Sequence, residues 1–379
     1  MSTSHPDNSR SQSPKGWELG RLVPALLVLA LLSDLAFRAL SLNQLAFRAW
    51  EVMWIGAAPD RGPFMPSARY DNPTSYGELA AVGNLPDLRV PHAEIFTTDA
   101  LGYRNTESTE PVTGVLFGTS FSVGSGVSDH ETLSAQLGER TGRRIYNAAG
   151  PGFSPRRLRV LKESLGIEKG YAIFEVLERK VFPDPSGRGE ELEAASDPLV
   201  RLRELLLAFR VSPLKIMVER SWKLLLNDRV LPNVLAKRVA VRTLRNGRSM
   251  IFRGEDFSDA REMGDPKSTL RYIDWLNAEV RKEGLELVVI LVPEKASVYS
   301  PSLESPQVSP AVEYFKALEN ALQGARVPVV NLLPVLSSSA AAALDRGEYL
   351  YYPDDTHWNG EGIGVAADAI APLLPHIAR

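Results

Sequence analysis

The sequence predicts an α/β fold in which helices cover both faces of a parallel β-sheet. Three apolar runs of strand length support this prediction, at 112–118, 171–177 and 285–292. β-Branched residues occur in each run, and segments with helical spacing separate the runs. Strands that alternate with helices indicate βαβ units, and functional side chains then collect at the carboxyl ends of the parallel strands.

Two further strands and five helices complete the pattern. The strands are predicted at 143–147 and 327–333, and a low-complexity stretch, 337–343, follows the second one. Residues 57–111 are rich in proline, glycine and polar side chains, and we interpret them as a poorly periodic lead-in to one domain that spans 57–379. The helices are predicted at 132–141, 156–165, 269–283, 312–323 and 362–374.

Composition excludes several classes of function. The chain has 379 residues and a formal net charge of −3, which argues against nucleic-acid binding because phosphate contacts need a basic surface. It contains no cysteine, so disulfides, cysteine nucleophiles and thiolate metal sites are excluded. No cofactor-binding motif and no metal-ligand spacing is present, and neither a cofactor nor a metal is expected.

The N-terminus favours attachment to a membrane. We expect residues 1–21 to form a disordered cytoplasmic tail and residues 22–40 to form an uncleaved signal anchor. The segment 22–33 has no charged residue, while Lys15 and Arg21 precede it and favour an N-terminus inside the cell. The run is short for a membrane span, so a cleaved signal peptide or a buried amphipathic helix are the alternatives. The expected location is the bacterial inner membrane, with the body of the protein in the periplasm.

Residues 197–254 interrupt the α/β pattern with a basic insert that we predict to be helical. Between 201 and 248 the chain has twelve Lys or Arg against three Asp or Glu, and apolar residues are interleaved with them. One interpretation is a helical cap with a solvated basic face. The other is a surface for anionic lipid headgroups or an acidic polymer.

Ser120 is the candidate nucleophile. It follows the strand predicted at 112–118 directly, within the sequence Gly-Thr-Ser-Phe-Ser. A serine at a strand-to-helix turn exposes its hydroxyl at the carboxyl edge of the sheet, where backbone N–H groups can bind an oxyanion. The alternative is an ordinary turn without chemistry.

His357 is the candidate base, because a serine hydroxyl needs a nearby proton acceptor. The sequence has five histidines, and His357 is the one that has carboxylates two and three positions before it, Asp355 and Asp354. Either carboxylate can orient the imidazole, and we favour Asp355. Alone, the Asp-x-His spacing is also typical of a surface loop or a partial metal site.

These elements together resemble the SGNH/GDSL hydrolase superfamily. The segment 118–137 is similar to the first block of that superfamily, and 147–152 is similar to the second, which implies that Gly152 donates to the oxyanion. The resemblance implies a flavodoxin-like fold in three layers. The sequences DTHWN at 355–359 and VPEKASVY at 292–299 resemble the alginate O-acetyltransferase branch, whose members acetylate exported polysaccharides.

Three features depart from the superfamily pattern. Thr119 stands where the usual motif has aspartate, and the asparagine of the third block is missing. Glu178 and Arg179 follow the corresponding strand instead, so Arg179 is a candidate oxyanion donor, or forms a structural ion-pair cluster with Glu175 and Glu178. The serine precedes the Asp-His element, as in ordinary SGNH hydrolases, whereas in the alginate branch it follows.

The function expected from this resemblance is transfer of an acetyl group to a cell-envelope or exported polysaccharide, through an acyl-Ser120 intermediate. The family resemblance also implies a membrane-bound O-acyltransferase as the partner that supplies the acetyl group. Two alternatives are a periplasmic carbohydrate or lipid esterase and a catalytically silent scaffold that binds polysaccharide.

Overall fold

A computed structural model describes residues 15–37, 49, 53–56, 61–83, 85–182, 238–257 and 263–374. Its strands are β1 (Arg69–Ser75), β2 (His92–Thr97), β3 (Val112–Phe117), β4 (Arg144–Asn147), β5 (Tyr171–Leu177), β6 (Val239–Thr243), β7 (Ser249–Arg253), β8 (Glu286–Val292) and β9 (Val329–Asn331). Its helices are α1 (Lys15–Phe37), α2 (Glu78–Val82), α3 (Ser120–Val123), α4 (Leu133–Thr141), α5 (Pro155–Leu165), α6 (Pro266–Lys282), α7 (Lys295–Tyr299), α8 (Ala311–Gly324), α9 (Leu332–Asp345) and α10 (Gly360–Ile370).

The central sheet has five parallel strands in the order β4-β3-β5-β8-β9. The predicted α/β fold with a parallel sheet is therefore confirmed. Strand β5 lies at the middle of the sheet and is buried along its whole length. The chain runs from β3 outward to β4 and then returns across β3 to β5, which is the flavodoxin-like order. Such a reversal opens a crevice at the carboxyl ends of β3 and β5, where ligands bind in folds of this type.

Helices cover both faces of the sheet, so the fold has three layers. Helix α6 packs against α5 and α8 on one face, and α10 packs against α4 and α9 on the other. The buried positions of α6 recur every three or four residues, which is the spacing that places them on one stripe of a helix. Those residues are Thr269, Tyr272, Ile273, Leu276 and Val280.

The segment predicted as a strand at 327–333 is mostly not a strand. Strand β9 is only three residues long, and helix α9 begins directly after it. The side chain of Asn331 accepts a hydrogen bond from the Leu333 backbone N–H at 3.1 Å, which caps the helix and ends the strand. The low-complexity stretch 337–343 lies inside α9, where its alanines are strong helix formers.

The lead-in before the first strand of the central sheet is more regular than its composition indicated. Strands β1 and β2 pair antiparallel, with Arg69 opposite Thr97, and helix α2 lies between them in sequence. The pairing is irregular between Asn72 and Ser75, around Pro73, because proline has no N–H to donate.

The prediction of a helical insert is wrong at its C-terminal end. Strands β6 and β7 form an antiparallel hairpin at residues that the prediction placed in a helix. Gly247 adopts a positive φ of 78° in the connecting turn, and the Gly247 N–H donates to the Leu244 carbonyl at 2.8 Å. Turn formation by an Asn-Gly pair and strand preference of the valines outweighed the apolar and basic interleaving. The predicted insert residues 197–237 lie outside the described residues.

Helix α1 spans Lys15–Phe37, so residues 15–21, predicted to belong to the tail, are helical. Between positions 23 and 35 its large apolar side chains are mostly exposed, and they include Leu27 and Leu29. Across the described part of the chain, no helix is both long enough and apolar enough to cross a membrane. Residues 1–14 and 38–40 lie outside the described residues.

Candidate active site

Ser120 begins helix α3 immediately after β3, at the carboxyl edge of the sheet. Its Oγ lies 2.8 Å from Nε2 of His357. Gly124 ends the short helix in the left-handed conformation, and the Gly124 N–H donates back to the Ser120 carbonyl at 3.1 Å. The serine therefore stands on a tight strand-to-helix turn that presents its hydroxyl to the imidazole.

A buried carboxylate from the neighbouring strand shapes this turn. Glu175 of β5 is 2% exposed, and its carboxylate accepts hydrogen bonds from the backbone N–H groups of Thr119 and Ser122, each at 3.0 Å. The Thr119 hydroxyl also donates to Glu175. A carboxylate that is removed from water needs such donors, and the turn in return has its free N–H groups satisfied.

The carboxylate of Glu175 explains why glycine occupies position 118 and threonine occupies position 119. A β-carbon at Gly118 would lie 2.3 Å from Oε2 of Glu175 and 2.4 Å from Oγ of Ser122, so no side chain fits there. An aspartate at position 119 would place a second negative charge against Glu175, whereas threonine offers a hydroxyl that donates. The departure from the usual Gly-Asp-Ser sequence is therefore matched by a glutamate in β5.

The C-terminal loop brings the base to the serine. Nδ1 of His357 lies 2.6 Å from Oδ1 of Asp355, while Nε2 faces Ser120. The same carboxylate oxygen accepts the His357 backbone N–H at 3.0 Å. This arrangement leaves the Nε2 lone pair available for the serine proton when Nδ1 carries its hydrogen toward Asp355. All three side chains lie in the geometry that nucleophilic acyl transfer requires.

Asp354 has a different set of partners from Asp355. Its Oδ2 accepts the backbone N–H groups of Gly77 and Val90 at 2.9 and 2.8 Å. Burial raises the pKa of the Asp354 carboxyl, and those two hydrogen bonds partly offset the rise. Of the two aspartates considered from the sequence, Asp355 contacts the imidazole, and Asp354 ties the lead-in to the loop.

Trp358 links the histidine loop to the nucleophile turn. Its indole is fully buried, and the Nε1–H donates to the Phe121 carbonyl at 3.2 Å. The Phe121 ring lies 4.9 Å from the His357 ring and 5.5 Å from the Trp358 ring, measured between centroids. These contacts fix the distance between two segments that are far apart in sequence.

The lead-in also contacts the C-terminal loop that carries His357, through Glu78. The Glu78 backbone N–H donates to Oδ2 of Asp355 at 2.7 Å, and the Thr356 hydroxyl donates to the Glu78 carboxylate at 2.7 Å. Glu78, Asp355 and His357 have potential ligand atoms within 4.8 Å of one another, a spacing that a metal ion could bridge. Nδ1 of His357 is already bonded to Asp355, so the hydrogen-bonded arrangement accounts for this cluster without an ion.

Gly152 and Arg179 were predicted to contact the oxyanion, and this role stays a prediction for both. Gly152 has a positive φ of 77°, and no atom lies within 4 Å of where a β-carbon would be, so open space adjoins it. The Arg157 guanidinium donates to the Gly152 carbonyl at 2.8 Å. Arg179 forms an ion pair with buried Glu294, whose pKa burial raises to about 7.

Sequence reasoning missed the roles of Glu175, Trp358 and Arg104. Arg104 is 3% exposed and donates to the carbonyls of Val123 and Val127, so it holds the segment that follows the nucleophile. One signal was available for Glu175: a charge within an otherwise apolar strand needs a polar partner. The partner itself was not visible, since it lies 53 to 56 positions away in the chain.

Sequence comparison finds a family model that matches the C-terminal part of the chain. The family model of the SGNH hydrolase-like domain of the acetyltransferase AlgX matches residues 250–377. This range contains Asp354, Asp355 and His357, whereas Ser120 and Gly152 lie before it. The resemblance to the SGNH superfamily that the motifs predicted is confirmed. No match was found among curated proteins.

Two solved structures match the chain at low sequence identity and low TM-score. Protein YXIM from Bacillus subtilis is 11% identical, with a TM-score of 0.32, over 74% of this chain and 58% of that one. A carbohydrate acetylesterase family member from Sinorhizobium meliloti is 9% identical, with a TM-score of 0.31, over 69% of this chain and 97% of that one.

The two neighbouring aspartates generate the first testable prediction. Asp355→Asn is expected to lower kcat roughly a thousandfold toward an activated acetyl ester, because the amide no longer holds Nδ1–H toward a carboxylate. Asp354→Asn keeps an acceptor oxygen for Gly77 and Val90, and we expect kcat to change by less than about fivefold. Steady-state kinetics on both variants tests this, and similar losses in the two would contradict the assignment.

A second prediction concerns the pair formed by Thr119 and Glu175. Thr119→Asp is expected to lower the free energy of unfolding by about 1–3 kcal/mol and to reduce activity, because two carboxylates then meet in a buried site. Adding Glu175→Gln should recover part of both losses. Thr119→Ser keeps the donating hydroxyl and serves as the control. Denaturant unfolding and ester hydrolysis measure the effects, and additive losses in the double variant would refute the coupling.

Proposed function

We propose that the chain is a serine acyltransferase that O-acetylates a cell-envelope or exported polysaccharide, because its residues 250–377 match the family model of the SGNH hydrolase-like domain of the acetyltransferase AlgX. An SGNH-type acetyltransferase or esterase is what this domain implies. One observation carries the catalytic assignment: Oγ of Ser120 lies 2.8 Å from Nε2 of His357, and Nδ1 of the same ring lies 2.6 Å from Asp355.

In the first half of the proposed reaction, His357 accepts the Ser120 proton at Nε2 while Oγ attacks the carbonyl carbon of an acetyl ester. The carbonyl oxygen gains negative charge, and we assign its stabilisation to the backbone N–H groups of Ser120 and Gly152. Collapse of the tetrahedral intermediate breaks the bond to the donor alcohol. The imidazolium returns its proton to that departing oxygen, which leaves acetyl-Ser120.

In the second half, a sugar hydroxyl attacks acetyl-Ser120 and gives its proton to His357. Collapse forms the acetylated sugar and returns the proton to Oγ of Ser120, so the enzyme is regenerated. Water in place of the sugar gives acetate, which is the esterase reaction. The protein groups act in the same way in both reactions, and the acceptor decides between them.

The location and partner belong to the same proposal. The uncharged segment 22–33, with Lys15 and Arg21 before it, supports an anchor in the inner membrane and a periplasmic body. A membrane-bound O-acyltransferase would supply the acetyl group there. Fusing a reporter enzyme that is active only in the periplasm to the C-terminus should give reporter activity, and activity only in a cytoplasmic reporter would contradict the proposed location.

Acylation of Ser120 is the test of the proposed function. The full-length protein is mixed with an activated acetyl ester, and mass spectrometry measures acetate on the peptide that contains Ser120. We expect an adduct in the wild type, none in Ser120→Ala and none in His357→Ala. Faster loss of the adduct with a sugar oligomer than with water identifies a transferase.

Other outcomes separate the alternatives. Equal loss of the adduct with and without sugar indicates an esterase. Absence of any adduct that depends on His357 would reject the catalytic proposal and favour a polysaccharide-binding scaffold. His130→Ala is the matched control, because the side chain of His130 is exposed near the start of α4 and is not part of the proposed machinery.

A further inference from the structure

Lys295 lies at the start of α7, directly after the carboxyl end of β8, and is 2% exposed. Its ammonium group faces the loop that carries the proposed base. Nζ lies 2.5 Å from the Asp355 carbonyl oxygen, 3.1 Å from that of Tyr352 and 3.4 Å from that of Pro353. A single cation therefore contacts three backbone oxygens of one short loop.

Neighbouring residues hold Lys295 and the start of α7 in place. Glu178, at the end of the neighbouring strand, accepts the Glu294 backbone N–H at 3.0 Å and the Ser297 hydroxyl at 2.9 Å. Nζ of Lys295 lies 5.1 Å from the centroid of the Phe252 ring in β7, a distance suited to a cation–π contact. Fixing a long lysine side chain in one conformation costs conformational entropy. The contacts around Lys295 hold its side chain in place.

We propose that Lys295 is the positioning residue that holds the Asp355–His357 loop in the geometry needed to acylate Ser120. This inference rests on the proposed function of the same site. The peptide carbonyl of Asp355 belongs to the residue that orients the imidazole, so release of that carbonyl moves the carboxylate as well. A shift of about 1 Å in a catalytic group is enough to cost about a hundredfold in rate.

The charge of Lys295 matters because three carbonyl oxygens need three N–H donors, and a neutral amine has only two. Burial lowers the pKa of Lys295 to about 7, against the opposing effect of the carboxylates that face it, Asp355, Asp354, Asp256 and Glu78. Raising the pH through about 7 therefore removes a donor from the loop. Acylation of Ser120 in the wild type is therefore expected to slow as the pH rises through about 7.

Stability should change with pH in the opposite direction. The pKa of Lys295 is lower in the folded protein than its ordinary value of 10.5, so the unfolded chain binds more protons between these two values. Its contribution makes the free energy of unfolding rise with pH across that interval. A residue that only stabilised the fold would not lower the acylation rate over a range in which it makes folding more favourable.

Substitution of Lys295 tests the proposal. Lys295→Met removes the donors but keeps an unbranched chain of similar volume, and we expect acylation of Ser120 to slow at least a hundredfold with little change in KM for a small acetyl ester. Lys295→Arg keeps a charged donor. Its acylation rate should be at least tenfold higher than that of Lys295→Met, and its activity should extend to higher pH. Lys282→Met, at an exposed lysine of α6, is the matched control.

A direct spectroscopic measurement covers the case in which Lys295→Met does not fold. The strongly deshielded NMR signal of the His357 Nδ1 proton reports its hydrogen bond to Asp355. In the wild type this signal should weaken as the pH rises through about 7, as the carbonyls lose their third donor. An unchanged signal overturns the proposal, as does a folded Lys295→Met variant with the wild-type acylation rate and pH profile. Activity that persists in Ser120→Ala would instead reject the proposed function.

Discussion

The hydrogen bond between His357 and Ser120 joins residues that are 237 positions apart, and the chemistry proposed for this protein depends on it. The parallel sheet supplies one end, because the turn after β3 places the serine at its carboxyl edge. The C-terminal loop supplies the other end. Trp358 connects the two segments, because its buried indole N–H donates a hydrogen bond to the helix that Ser120 begins.

Buried charges are concentrated around this bond, and each has an identifiable set of partners. Glu175 accepts hydrogen bonds from the nucleophile turn, and Asp354 accepts them from the lead-in. Lys295 donates to the carbonyls of the histidine loop. Burying a charge without such partners costs roughly several kcal/mol, so each of these groups favours the loop arrangement that supplies its partners.

The lead-in has a structural role that its composition did not reveal. Its segment around α2 contributes backbone N–H groups to both Asp354 and Asp355. Main-chain donors are present in every sequence, so no residue pattern marks them in advance. The hairpin of β6 and β7 is similar in this respect, since Phe252 contacts Lys295 only after the chain has folded.

The sequence by itself determined the alternation of strands and helices, and it indicated Ser120 and His357, because apolar periodicity and short motifs are local properties. It did not decide between Asp354 and Asp355, which are adjacent and chemically identical. Tertiary structure made that choice, since it brought the N–H groups of Gly77 and Val90 to one carboxylate and the imidazole to the other. The partners of Thr119 and Lys295 were likewise decided by packing, because contacts between distant segments depend on the whole fold.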